Sequence, residues 1–298
     1  MSKIDQKILD SLFRDIVKFY SSSKTSIITL RALINAIKFL ECKDDMFRVQ
    51  IMEVCKTITS SQPRMFPIDN LIILLEHELE KNSFFENKDI SIKKSATIEI
   101  IEDLITRLNY DMRELANQGL DHIKDGDFIV LHAAEEPVEL LLPEAKNMGR
   151  EFEVLILRQE SVKTNRVINI MEQNQIKFTV IPEWDLIHNF DKVTKLFIGA
   201  YAITADGKFV SDSGTSNIVS ECHIHKLPIY LFAPTLEITP TVSDDQNIYL
   251  KEESQYASGV DYTLISHSCD IVNLDLVNHI ITDQGELSKE KLKGYCIV

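Results

Sequence analysis

Three short stretches carry residue types that could do chemistry. His132 closes an apolar run in "VLHAAEEP". An imidazole at a strand end can take or give a proton near neutral pH, or can simply bond to backbone. Glu135-Glu136 follow, a pair able to do acid–base work, yet placed where a helix should start and where the macrodipole favours carboxylates anyway. The third stretch is "FIGAYAITADGKFVSDSGTSNI", residues 197–218, with an apolar entry, an Asp-Gly turn and then Gly-Thr. Gly214-Thr215 ahead of "SNIVSE" would present free N–H groups at a helix start, suited to an anion or to plain capping. The position best placed for an acid or base, after Gly199-Ala200, is Tyr201, whose phenol is mostly neutral at pH 7.

Other features point away from chemistry. His223 and His225 are two apart in "ECHIHK", so on a helix they do not face one another, and we read them as an exposed helix end with no metal. Trp184, the single tryptophan, is read as a core or interface residue. The chain has only nine glycines and neither GxGxxG nor a P-loop, which argues against a dinucleotide or nucleoside-triphosphate cofactor. Cys42, Cys55, Cys222, Cys269 and Cys296 lack the spacing of a zinc or redox motif and read as reduced thiols.

The elements that must position these residues follow from periodicity. Up to about Asp121 apolar residues recur at helical spacing: Ile8, Leu12, Ile16, Phe19; then Leu30, Leu33, Ile34, Ile37, Leu40; then Leu71, Leu74, Leu75, Leu79; then a long stripe from Ile98 to Leu120. "YSSSKTS" and "TSSQPRMFP" between them are loop and cap compositions. From residue 124 the pattern changes to short apolar runs at 128–131, 152–157, 176–181, 195–200 and 227–234, alternating with helix candidates that include "EWDLIHNF" and "TSNIVSECHIHK". Continuous apolar strands alternating with helices imply a parallel sheet. The fold class is therefore α/β: an N-terminal α-helical domain, residues 1–122, followed by a Rossmann-like parallel-sheet domain, 123–298. Residues 241–260 read as an exposed polar insertion, and the tail "DIVNLDLVNHIITDQGELSKEKLKGY" as a return to helix.

With 298 residues the chain is long enough for a large core without disulfides or metal. A net charge of −14 argues against nucleic-acid binding. The polar N-terminus and the lack of a span-length apolar run lead us to expect a soluble, cytoplasmic protein.

"GAYAITADGKFVSDSGTSNIVSECHIHKLPIYLFAP" resembles the superfamily that unites sugar-phosphate aldose–ketose isomerases with the regulatory subunits of eukaryotic translation initiation factor 2B. The order is the same: Gly-Ala, a strand exit, a turn, Gly-Thr, a helix, then "PIY" on a strand ending in Ala-Pro. "KTITSSQPRMFPIDN", "FAPTLEITP" and the polar insertion before "CDIVNLDL" are most similar to the beta type of regulatory subunit. The isomerases use a cysteine after the first strand and an aspartate after Gly-Ala. The matching positions here are Ala133 and Tyr201, so the resemblance implies a loop retained without its chemistry. The phosphate-contacting region corresponds to "RQESVKTNR", which lacks the family's Pro and Gly, and whose Asn165-Arg166 stands at the Gly-basic step.

By resemblance, then, the expected role is a non-catalytic regulatory subunit of the guanine-nucleotide exchange factor for initiation factor 2. It would pair directly with a delta-like subunit, join alpha, gamma and epsilon subunits, and sense phosphorylation of the alpha subunit of factor 2. Exchange itself would belong to the epsilon subunit. The alternatives are a divergent isomerase and a sugar-phosphate-binding homologue. Strand-order reversal should bring Gly214 and Thr215 to the end of the first strand near Ala133, with Arg166 pointing into the same crevice, bound to a small anion or lining a subunit interface.

Overall fold

The computed structural model describes Ile16 and residues 20–61, 66–81, 89–243 and 250–295. The predicted stripe Ile8–Phe19 and Cys296 therefore lie outside the described residues, apart from Ile16. The first half is helical: α1 (Ser22–Phe39), α2 (Phe47–Thr59), α3 (Phe66–Lys81) and α4 (Ile90–Gly119). Their stripes meet in one core built on Leu33, Ile37, Ile51, Leu75, Ile101 and Leu108. The predicted loop "YSSSKTS" is a cap and the first turns of α1: Ser21 is the N-cap and accepts from Lys24 N at 3.3 Å. Ser22, Thr25 and Ser26 are buried inside the helix, where Thr25 and Ser26 donate to carbonyls one turn back at 2.9 Å.

Helix α4 has 30 residues, about 45 Å at 1.5 Å per residue. Its middle belongs to the helical core, while Leu115 and Ala116 join a second core with Leu141, Phe197 and Phe232 against the sheet. One rigid rod thus belongs to both layers.

The sheet forms from β1 (Phe128–Leu131), β2 (Glu153–Arg158), β3 (Lys177–Pro182), β4 (Lys195–Gly199), β7 (Ile229–Phe232), β11 (His279–Thr282) and β12 (Gly285–Glu286), in the order β12-β11-β7-β4-β1-β2-β3. Every pairing is parallel except β11 with β12. The crossovers carry α5 (Glu136–Asn147), α6 (Ser161–Gln173) and α7 (Thr215–Ile224). The five predicted apolar runs are β1, β2, β3, β4 and β7. "EWDLIHNF" forms a 3-10 helix, Glu183–His188.

The tail departs from expectation. Its helix-like spacing belongs to β10 (Cys269–Asn273), a 3-10 turn, β11 and β12, with only the short α8 (Lys289–Leu292) helical. A strand–turn–strand run rich in Ile and Val imitates helical spacing, and pairing with β7 decides in favour of strand. β10 also pairs with β6 (Lys208–Asp212), which pairs with β5 (Ala202–Ile203), in a three-stranded antiparallel sheet. Residues 244–249 of the predicted polar insertion lie outside the described residues; after them comes a separate hairpin, β8 (Leu250–Ala257) with β9 (Val260–His267). Among the described residues no helix is long and apolar enough to cross a membrane.

Candidate functional site

The order of the parallel strands reverses beside β1: β2 and β3 follow on one side, β4, β7 and β11 on the other. Loops leaving β1 and β4 part over this point, which is where α/β sheets form their crevices. His132 and Ala133 leave β1 there. Ala133 has φ 47°, a left-handed conformation unusual for a residue with a Cβ. It is held by two bonds: its N–H donates to Gln159 Oε1 at 3.1 Å, and its carbonyl accepts from Gly199 N at 3.0 Å. A Cβ on Gly199 would stand 2.7 Å from Glu135 Cβ and 3.1 Å from Ala133 O, so this approach requires glycine.

His132 is fully enclosed. Its Nε2 lies 3.0 Å from Thr215 Oγ1, and its Nδ1 faces Glu183 Oε1 at 3.4 Å without a hydrogen-bond partner among the described residues. Burial pushes its pKa down to about 4, so the ring is neutral.

Tyr201 turns into the crevice and donates to Asp212 Oδ1 at 2.5 Å. Lys163, on the first turn of α6, bonds to the same Asp212 oxygen and to Tyr201 Oη, the latter at 2.9 Å. Gln159 Nε2 reaches the other Asp212 oxygen at 3.3 Å. Burial alone would favour the neutral acid, but the Lys163 ammonium and the Tyr201 hydroxyl outweigh it and hold the Asp212 carboxyl below its usual range. The same burial, with Asp212 beside it, pushes the Tyr201 phenol well up, so it stays protonated. The space left between His132, Ala133, Lys163 and Asp212 is about 10 Å³, room for one water at most.

Gly214 and Thr215 open α7, as the sequence predicts, next to the end of β1. Gly214 has φ 95°, and a Cβ there would meet Glu183 Oε2 at 2.9 Å. The N–H groups that would suit an anion already have one: Asp270 Oδ2, from β10, accepts from Gly214 N at 3.0 Å and Ser216 N at 2.9 Å. Outside this start is a shallow cavity of about 200 Å³ bordered by Glu160, Glu183, Ser213 and His267.

Arg166 does not enter the crevice as expected. Its Nε donates to Glu139 Oε1 at 2.5 Å, and its guanidinium touches Ala134 O at 3.5 Å. The cation in the crevice is Lys163, one turn earlier. Asn165 is exposed and outside the cluster. Glu135 and Glu136 do start α5, yet they serve α1: Ser22 N donates to Glu135 Oε2 at 3.3 Å and Ser21 Oγ to Glu136 Oε2 at 3.1 Å. Burial pushes Glu135 up to about 7. His223 and His225 are exposed at the end of α7, and Trp184 is 73% exposed, which removes the core reading. The sequence reading missed Lys163, Asp212 and Asp270. The first two stand inside the quoted stretches "RQESVKTNR" and "SDSGTSN", but nothing local pairs residues 49 apart.

Residues 18–289 match the model of the initiation factor 2 subunit family. The chain belongs to that family. It is 23% identical over 295 residues to the delta subunit of translation initiation factor eIF2B from Dictyostelium discoideum, which covers 91% of this chain and 47% of that protein. It is 27% identical over 203 residues to the beta subunit from the same organism, covering 64% of this chain and 52% of that one. The chain thus spans about half the length of these two relatives. The similarity extends to an enzyme, the ribose 1,5-bisphosphate isomerase of Haloferax volcanii, at 17% identity over 257 residues, covering 83% of this chain and 78% of the enzyme. Among solved structures, a Pyrococcus horikoshii translation initiation factor eIF-2B superposes with TM-score 0.78 at 22% identity, covering 96% of this chain and 98% of that one. A chain of the tetrameric beta2–delta2 complex of eIF2B from C. thermophilum does so with TM-score 0.74 at 17% identity, covering 99% and 94%. These likenesses establish the fold. The matches include beta and delta subunits and an isomerase, and what they share is the family.

Proposed function

We propose that this chain is a non-catalytic regulatory subunit of a guanine-nucleotide exchange factor for initiation factor 2, acting in assembly and in sensing the phosphorylated alpha subunit of that factor. The observation that carries the reading is a crevice that has filled itself. Ala133 has no ionisable group, Lys163 and Asp212 neutralise each other around Tyr201, and Asp270 occupies the helix start where a phosphate would sit. A substrate would have to break these contacts before any proton could move. We propose that His132, Ala133, Tyr201, Gly214 and Thr215 now serve as a packed support for the subunit interface, with Asn165 and Arg166 at its margin.

The β8–β9 hairpin supports association. Val260, Tyr262 and Leu264 alternate along one face of β9 and are 61%, 49% and 50% exposed. Tyr256 and Ile265 are exposed on the other face. A two-stranded hairpin with apolar side chains in water is marginal by itself. A second regulatory subunit would cover it, in an interface of about 800 Å² per partner or more. We assign the delta-like subunit as that partner and the beta type to this chain, on the strength of "FAPTLEITP" and the insertion before β10. The other subunits and factor 2 itself would be met within the complex.

The test is co-expression with a delta-type and, separately, a beta-type subunit, read by light scattering. A heterodimer with the delta type is expected; indifference to both overturns the proposal, and pairing with the beta type alone would reassign this chain as delta-like. In parallel, the purified chain should not isomerise ribose 1,5-bisphosphate, and Ala133→Cys with Tyr201→Asp should not confer activity. Turnover by the wild type would establish the isomerase reading instead.

A further inference from the structure

A cavity of about 260 Å³ lies where α3 and α4 meet the loop after β7, and it shares no lining residue with the crevice at His132. Leu71, Leu74, Leu104, Leu108 and Leu236 supply its aliphatic wall, and Thr235, Gly294 and Tyr295 close it. Two charged side chains interrupt this apolar lining, Arg107 and Asp111, one turn apart on α4. Their closest approach, Arg107 Nε to Asp111 Oδ2, is 3.8 Å, too long for a hydrogen bond. The arginine side chain is 68% exposed and the aspartate 16%. The guanidinium therefore leans into water while the carboxylate stays against the leucines. Among the described residues the Asp111 carboxylate has no other ion pair or hydrogen bond. The neighbouring Asp283 adds negative field, and its own oxygens are taken by Thr235 N at 2.6 Å, Thr235 Oγ1 at 3.0 Å and Gln284 Nε2 at 2.9 Å. Burial first, and Asp283 second, push Asp111 up to about 6.

We propose that this cavity binds a small organic ammonium, an amine carried on a short apolar chain, with the leucines taking the chain and Asp111 the ammonium. A neutral apolar guest would fill the wall but leave the carboxylate desolvated, with only the loosely held Arg107 at 3.8 Å as counter-charge, which is costly. A carboxylate guest would meet Asp111 and Asp283 together. An ammonium supplies what the inward carboxylate lacks, and the net charge of −14 raises the local concentration of cations. The volume is below the roughly 300–1,000 Å³ of sites for drug-sized ligands, so the guest is fragment-sized. Its contacts would span the helical layer and the loop after β7, so occupancy would brace the two layers against each other.

The experiment titrates the full chain with n-butylammonium chloride, n-butanol and sodium butyrate at constant ionic strength, by calorimetry and by thermal unfolding. Butylammonium is expected to bind saturably and raise the unfolding temperature, with butanol weaker and butyrate without effect. Asp111→Asn, close to isosteric, should weaken butylammonium about tenfold or more, the scale of a lost charge-assisted contact. Arg107→Gln should act in the opposite direction and tighten it about twofold to fivefold, because a competing surface cation is gone. Equal binding of butanol and butylammonium, an Asp111→Asn variant that binds as well as wild type, no tightening by Arg107→Gln, or no binding at all would each overturn the proposal.

Discussion

Replacing Lys163 tests whether the crevice is held shut by one buried ion pair. Lys163 and Asp212 have side chains only 18% and 10% exposed. Two unit charges at about 4 Å attract by about 4 kcal/mol at an effective dielectric of about 20, and these are closer. Desolvation opposes that gain, so the net value of the pair is small even though breaking it is costly. Lys163→Met leaves Asp212 with Tyr201 and Gln159 but no counter-charge, and should cost about 3–5 kcal/mol. Asp212→Asn leaves a buried ammonium and should cost a similar amount. The double variant strands no charge, so it should cost no more than either single variant, which makes the coupling about 3 kcal/mol or more. Urea unfolding at pH 7 measures all four corners of the cycle, and the coupling should persist in high salt because the pair is buried. The acid limb gives a second reading. The folded-state pKa of Asp212 lies below its ordinary 3.8, so the stability it contributes is present above that pH and lost as pH falls through the folded value. Lys163→Met should shrink this acid-side loss. Single losses under about 0.5 kcal/mol, as for a surface pair, or strict additivity, would refute a crevice closed by this pair.

Asp270→Ala should cost about 1–2 kcal/mol by freeing Gly214 N and Ser216 N, and inorganic phosphate should then stabilise the variant but not the wild type; equal stabilisation of both in thermal melts would mean that Asp270 does not block the site. Glu135, raised from 4.5 to about 7, contributes stability that is full below pH 4.5 and lost as pH rises through 7. Glu135→Gln should therefore gain about 3 kcal/mol over wild type at pH 8 and nothing near pH 4, measured by urea midpoints at both values. Gly199→Ala drives a methyl against Glu135 and the Ala133 carbonyl and should cost about 1–3 kcal/mol; an unchanged melting temperature would show that the two strand ends can separate.

The sequence by itself determined the layers and which residue types stand at the strand ends. Helical stripes and continuous apolar strands report local burial, which depends on the residues of one element alone, so β1 to β4, β7 and most of the helices were legible. The start of α7 at Gly214-Thr215 was legible for the same reason, since a cap is a local device. The absence of a thiol at Ala133 and of a carboxylate at Tyr201 needed no structure once those positions were recognised. Tertiary structure decided which charges meet. Asp212 finds Lys163 across 49 residues, and Asp270 reaches the start of α7 across 54 to 56, because β6 and β10 pair edge to edge. It also decided that Arg166 goes to Glu139, and that a tail with helix-like spacing becomes strands by pairing with β6 and β7. Periodicity encodes how deeply a residue is buried. The identity of the partner beside it depends on strand order and register, which are set when distant segments compete for the same sheet edge.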